Sequence, residues 1–203
     1  MNTQQHLKRI FGTAVLLAAS VFLTSCNPVE NETESASLLI VESLTGLSMA
    51  GIEGFFLQSD VLIQDAATGV TSVRADSAAA SLRAATLDPN PLLGESPYND
   101  IQLTRYVVRY VRADGQNREG VDVPYTFEGS LSALIRIGVS TTVSFVIVRE
   151  VAKQEPPLLN LWTAYPGEVL NVTAKVDFYG RDLANKAVKA TGMLPITFAN
   201  YGN

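Results

Sequence analysis

The sequence predicts an all-β protein, an antiparallel two-sheet sandwich over residues 38–203. Three observations predict it. Some seven to nine short runs rich in aliphatic, β-branched and aromatic residues lie between Leu38 and Phe198, and such residues fit a pleated, half-buried surface. Clusters of Gly, Pro, Asn and Asp separate the runs, as turns require. A chain of 203 residues is long enough for one sheet pair to enclose a core.

Taken in order, Leu38–Leu44 is the first strand, and Gly46, Gly51 and Gly54 break the stretch after it. Phe55–Gln64 is the second, closed by Asp65 and a Thr68-Gly69 turn. Residues 76–87 read two ways. Asp76 suits a helix N-cap and the alanines favour helix, yet Ala78, Ala80, Leu82 and Ala84 also share one strand face. The strands on either side favour the second reading. Asp88-Pro-Asn-Pro ends this element, and a polar loop with Pro97 runs on to Asp100.

Ile101–Arg112 is the longest β-like run. Neither of its faces is purely apolar, which predicts a bulge that switches faces midway. Asp114–Gly120 is a turn-rich loop. Thr141–Glu150, apolar on both faces, predicts a central strand, and Glu155-Pro-Pro157 stops it. Val169–Tyr179 alternates, with Leu170, Val172, Ala174, Val176 and Phe178 on one side. Gly180–Lys186 connects it to a last strand whose inner residues are Leu194, Ile196 and Phe198. This closing pair, with Phe-Tyr-Gly-Arg-Asp between its strands, resembles the final hairpin of bacterial immunoglobulin-like domains; the likeness covers about 30 residues. It implies an immunoglobulin-like sandwich. The domain has no second cysteine to form a disulfide, so packing alone must hold it.

The N-terminus differs in kind. Met1–Arg9 is polar and ends in Lys8 and Arg9, and Ile10–Leu23 follows as 14 uncharged, mostly apolar residues. That is short for a membrane-spanning helix, which needs about 20. It suits the apolar core of a secretory signal behind a basic start. Leu23-Thr24-Ser25-Cys26 then resembles the lipobox of bacterial lipoproteins: an aliphatic residue, two small ones and a cysteine. The resemblance implies cleavage before Cys26, so that residues 1–25 are a signal peptide. It also implies diacylglyceryl attachment to the Cys26 thiol, with acylation, palmitate among the chains, of the new amine. Two or more acyl chains anchor a protein durably. Asn27, rather than Asp, follows Cys26, which by the same resemblance points to the outer membrane. Residues 26–37 carry the lipid and a polar, acidic stretch that predicts a flexible tether.

Composition narrows the chemistry. Without residues 1–25 the chain keeps all 20 acids and 13 of the 15 bases, a balance of -7. That argues against nucleic acid, which needs clustered Lys and Arg. The only histidine is His6 and the only cysteine is Cys26. The domain therefore lacks Ser-His-Asp and Cys-His nucleophilic sites and zinc sites built on His or Cys. Carboxylate chemistry and oxygen-ligand metal sites remain open.

Four groups of residues are candidates. Asp114, Asn117, Glu119 and Asp122 crowd one loop and offer oxygen ligands for Ca²⁺; their spacing is not that of an EF-hand and Arg118 stands among them, so a solvated turn is expected. Asp177 and Asp182 flank Gly180, where turn geometry and an ion pair to Arg181 are expected before acid-base work. Arg105 and Arg109 share a strand face and are expected to pair with acids of neighbouring strands before gripping an anion. Trp162 and Tyr165 lie in a loop between Pro157 and Pro166, either contacting a ligand or partner or, for Trp162, plugging the end of the core.

The expectation is a lipid-anchored envelope protein, attached to the membrane through Cys26, whose sandwich is non-catalytic and serves a structural or protein-interaction role without cofactor or metal. The alternative is a module that binds carbohydrate or peptide through Trp162 and Tyr165. Third comes a carboxylate-dependent glycan hydrolase.

Overall fold

A computed structural model describes residues 35–47, 53–64, 67–88 and 96–201. Residues 1–25, read from the sequence as a signal peptide, Cys26 and Asp65 lie outside the described residues. Among the described residues there are eleven strands: β1 Ser37–Leu47, β2 Glu53–Gly54, β3 Leu57–Asp60, β4 Ile63–Gln64, β5 Thr71–Ser72, β6 Asp76–Thr86, β7 Ile101–Val111, β8 Phe127–Ile135, β9 Ser140–Val148, β10 Leu170–Asp182 and β11 Ala187–Ala199. Two single helical turns, α1 Glu150–Lys153 and α2 Asn160–Thr163, lie between β9 and β10.

The strands form a four-stranded sheet in the order β2-β1-β6-β9, a five-stranded sheet in the order β3-β11-β10-β7-β8, and a small β4-β5 hairpin. This is an all-β sandwich of immunoglobulin-like topology. β1, β6 and β9 stand as strands A, B and E; β7, β10 and β11 stand as C, F and G, with β8 added beyond C. One pair departs from the antiparallel expectation: β3 runs parallel to β11. The chain leaves the first sheet after β2 and adds β3 to the edge of the second, so one segment ties both sheets together.

The alternating run of β10 and the last strand pair as a hairpin from Leu170↔Phe198 to Arg181↔Ala187. Gly180 to Asp182 continue β10 rather than open the turn, which is confined to the residues before Ala187. Inner residues Phe178, Leu194, Ile196 and Phe198 are fully buried, as their spacing predicts. Burying each such side chain stabilises by about 1.5–3 kcal/mol.

The bulge expected in the longest run is present. β7 pairs Arg105 with Tyr179 and then Leu103 with Gly180, leaving Thr104 unpaired. Ile101 and Leu103 face inward before it and Tyr106, Val108 and Tyr110 after it.

Residues 76–86 are a strand, central in the four-stranded sheet. Their alanines defeat helix propensity because Ala78, Ala80, Leu82 and Ala84 all bury completely against the facing sheet. Tertiary packing outweighs a propensity difference worth tenths of a kcal/mol per residue.

Several elements differ from the sequence reading. The run Phe55–Gln64 splits into β3 and β4, and Phe55 and Phe56 stay exposed in a bend before β3. Gly46 lies within β1 rather than ending it; a Cβ there would sit 2.8 Å from the Leu57 Cβ, so the close approach of β3 requires glycine. Ser35 and Ser37, placed by sequence in the tether, are buried in the domain. β8 carries no strong sequence signal, since Gly129, Ser130, Ser132 and Ala133 interrupt its apolar residues. Its Gly129 pairs directly with Tyr106 and lies under that ring, where a Cβ would come within 2.3 Å of it.

The strand expected to be central, β9, forms an edge of its sheet. Its second apolar face is explained locally. At its end a bulge leaves Ile147 between Val146↔Ser77 and Val148↔Asp76. The Ile147 carbonyl accepts a hydrogen bond from the Tyr110 hydroxyl of the other sheet at 2.7 Å. Arg149 and Glu150 then lead into α1 instead of extending the strand.

Candidate functional site

The residues singled out for chemistry mostly serve the fold. In the loop after β7, the Asp114 carboxylate accepts from the Arg112 guanidinium and from Gln116 N–H. Asn117 Oδ1 accepts from Arg112 N–H at 2.7 Å, Thr126 Oγ1 donates to Glu119, and Asp122 accepts from Arg118 Nε at 2.9 Å. Each candidate ligand residue is thus engaged within the loop itself. Among the described residues no group of three His, Cys, Asp or Glu converges as a metal site would. Hydrogen bonds from Arg112 and Arg118 hold Asp114 and Asp122 below the ordinary carboxylate range.

Asp177 and Asp182 sit on one strand but serve different ends. Asp177 on β10 accepts from Thr191 Oγ1 at 2.6 Å and lies against Arg109 and, at 3.2 Å, Lys189. Burial pushes its carboxyl up, but Thr191, Lys189 and Arg109 outweigh that and hold it below the usual range. Asp182 accepts from Lys186 N–H at 2.8 Å and from Ser35 Oγ at 2.6 Å, fastening the start of the domain to the β10–β11 turn. Arg181 turns to Asn185 rather than to Asp182, correcting the expected local ion pair.

The two arginines pair across strands as expected. Arg105 meets Glu128 of β8 at 3.1 Å and lies 4.0 Å over the Tyr179 ring; Arg109 meets Asp177. Because the folded state lowers the Asp177 pKa, its stabilising effect is present above the ordinary carboxylate range and fades as pH falls through the folded value. Asp177→Asn should therefore unfold more easily than wild type at neutral pH, with the gap in urea midpoints closing below about pH 4. A gap that persists at acid pH would assign the loss to packing.

Trp162 and Tyr165 part company. The chain between Pro157 and Pro166 contains the helical turn α2, so it is not irregular throughout. Trp162 is half-buried against the core, with Nε1 buried and unpartnered among the described residues. Its ring packs against the core, and it does not line the cleft. Tyr165 is exposed and lines a cleft of about 490 Å³. Opposite it stand Arg112, Asp114 and Asp122 of the loop after β7, while Asn160 and Asn171 complete the polar wall. Leu170, the first residue of β10, lies at this cleft, whereas Asp182, the last, holds Ser35. Thirteen residues of strand span about 40 Å. The cleft therefore opens at the end of the sandwich remote from the point where the N-terminal segment enters.

A second polar assembly, missed in the sequence, lies inside the sandwich. Lys153 of α1 is 1% exposed. Its Nζ donates to the Asp60 carbonyl at 2.8 Å and lies 3.1 Å from Asp76 Oδ1 and 3.0 Å from Oδ2. Ser59 Oγ, fully buried on β3, donates to Asp76 Oδ2 at 2.6 Å. Burial pushes the Asp76 carboxyl above its ordinary range despite Lys153 and Ser59. The signal was present in part: Asp76 continues the inward row of Ala78, Ala80 and Leu82, so a strand reading puts it in the core and demands a partner. Nothing near Lys153 in the sequence marks it as that partner.

No protein-family model, no curated protein and no solved structure matches this chain.

Proposed function

We propose that this chain is a lipid-anchored protein of the bacterial envelope whose non-catalytic sandwich serves as a structural or protein-interaction module held to the outer membrane through Cys26. The observation that carries this reading is the order of parts at the N-terminus: a basic start, 14 uncharged residues, Leu23-Thr24-Ser25-Cys26, then a polar stretch that meets the folded domain at Ser35. Nine residues from Cys26 to Ser35 reach at most about 30 Å. A domain on such a lead stays close to the bilayer and presents its remote end, with the cleft, to whatever lies beyond. The fate of the polar groups supports a non-catalytic role. Asp114 and Asp122 at the cleft are held ionised by arginines, the opposite of what a general acid needs. The same point weighs against glycan hydrolysis.

Mass spectrometry of the protein extracted from membranes tests the anchor. The expected N-terminal peptide begins at acylated Cys26, and Cys26→Ser should leave the chain unacylated with its leader uncut. An unmodified Cys26 thiol in the wild type would overturn the proposal.

Tyr165 favours a second reading, a carbohydrate- or peptide-binding module. An exposed aromatic ring beside Asn160 and Asn171 in an open polar cleft suits the flat face of a sugar. Glycan arrays probed with wild type and Tyr165→Ala should then show binding that the variant loses at least tenfold. Equal signals from both would remove the cleft from consideration.

A further inference from the structure

We infer that the outer face of the five-stranded sheet is a membrane-facing surface that lies against anionic lipid headgroups. The strand register sets its charges in rows. Lys189, Tyr179 and Arg105 stand side by side on β11, β10 and β7, and Met193, Lys175 and Arg109 stand side by side four residues away. Arg181 lies one outward step past Tyr179. The acids of this face are Asp177 on β10 and Glu128 on β8. Five bases against two acids is +3, and the balance without residues 1–25 is -7, so the remainder carries -10. The positive charge of an acidic chain is thus gathered on one side. It is also accessible. The Asp177 side chain is fully buried between Arg109 and Lys189, whose own side chains stay 45% and 47% exposed. Asp177 therefore holds two cations at the surface without covering them. Arg105 and Lys189 flank the Tyr179 ring at 4.0 and 5.3 Å. The Lys175 side chain has no partner among the described residues, and Met193 beside it is exposed. Cations interspersed with apolar groups are what an interfacial surface needs.

The choice of lipid over a soluble acidic partner rests on the anchor proposed above. Ser35, where the lead from Cys26 joins the domain, is held by Asp182, the neighbour of Arg181. The lead thus arrives at one end of the cationic face. It reaches at most about 30 Å, and the face from Arg181 to Lys175 is about 20 Å long. All five cations therefore come within reach of the bilayer that holds Cys26, and tethering raises the effective concentration of that surface above that of a free partner. Each Lys or Arg brought to an anionic surface adds to the attraction, which salt screens within about 8 Å. β10 begins at Leu170, five residues before Lys175, so the cleft lies past the area of contact.

Lysine footprinting of the full-length chain on vesicles tests the face. An uncharged acetylating reagent is applied to protein held on phosphatidylcholine vesicles, and on vesicles that also contain phosphatidylglycerol. Lys175 and Lys189 should react about fivefold more slowly on the anionic vesicles, and high salt should abolish the difference. Lys175→Glu, which breaks no ion pair among the described residues, should reduce the protection of Lys189 to about twofold. Equal rates on the two kinds of vesicle would overturn the inference. Protection by soluble polyglutamate, with none from anionic vesicles, would assign the face to an acidic protein and overturn it as well. The mass of the N-terminal peptide from the same sample reports separately whether Cys26 is acylated. If it is not, the chain is added to preformed vesicles and the same comparison of rates decides, so a failed anchor and a failed face are told apart.

Discussion

Lys153→Met should destabilise the domain by about 3–5 kcal/mol, the usual result of removing one partner from a buried ion pair. The methionine stem fills similar space, so little of this loss is cavity. It comes from Asp76, which keeps Ser59 but loses the only cation within 4 Å among the described residues. The Asp60 carbonyl loses its donor at the same time. At roughly 2–4 °C per kcal/mol for a chain of this size, thermal melting falls by about 10 °C. Adding Asp76→Leu removes the buried charge and should return part of the loss, which a double-mutant cycle measures. A single variant that melts with the wild type would mean that water reaches Asp76 and that the cluster is not buried in solution.

How much of this was legible in the sequence depends on the element. Period-two alternation placed β10 and β11 and their inner residues, because one face is buried and the other is wet, and each residue votes on that difference. The bulge in β7 was legible for the same reason in reverse: Leu103 and Tyr106 cannot both face inward without an extra residue between them. β8 was not legible. Its work is done by small residues that admit the Tyr106 ring, and a missing side chain leaves no hydrophobic trace. The position of β9 was misjudged because apolarity on both faces ordinarily marks a central strand. Here the bulge at Ile147 turns Val148 inward beside Val143, Phe145 and Ile147, so an edge strand buries apolar residues of both parities.

Of the candidate sites, those formed by neighbours in sequence were legible and those formed by topology were not. Arg118 and Asp122 are four residues apart, and their pairing follows from the loop. The cross-strand partners of Arg105 and Arg109 could be expected as a class but not by name, since register decides them. Lys153, Asp60 and Asp76 come from three separate elements, and only the crossing of β3 from one sheet to the other brings them together. Tyr165 was named with Trp162 as one aromatic pair, yet Trp162 lies within a helical turn and Tyr165 just past its end, which sends one ring against the core and the other to the cleft.

Phe178→Ala should cost about 3–5 kcal/mol, as large-to-small changes of buried aromatics do. Phe178 is fully buried in β10 and meets Phe145 of β9 edge to face, with ring centres 5.4 Å apart. Phe145 in turn meets Tyr106 at 4.8 Å, and Tyr106 meets Phe127 at 6.2 Å. These four rings come from β10, β9, β7 and β8, so the row crosses from one sheet to the other and back. Without disulfides in the domain, such contacts are what joins the sheets. Removing Phe178 leaves a void under Phe145, and close-packed neighbours collapse into it only partly. The urea midpoint should fall while the slope stays near the wild-type value, because the same surface is still exposed on unfolding. Phe56→Ala is the control. Its ring is 58% exposed in the bend before β3, and its loss should stay within about 0.5 kcal/mol. Equal losses from the two variants would mean that the row of rings does not join the sheets, and that Phe56 is covered by something in solution.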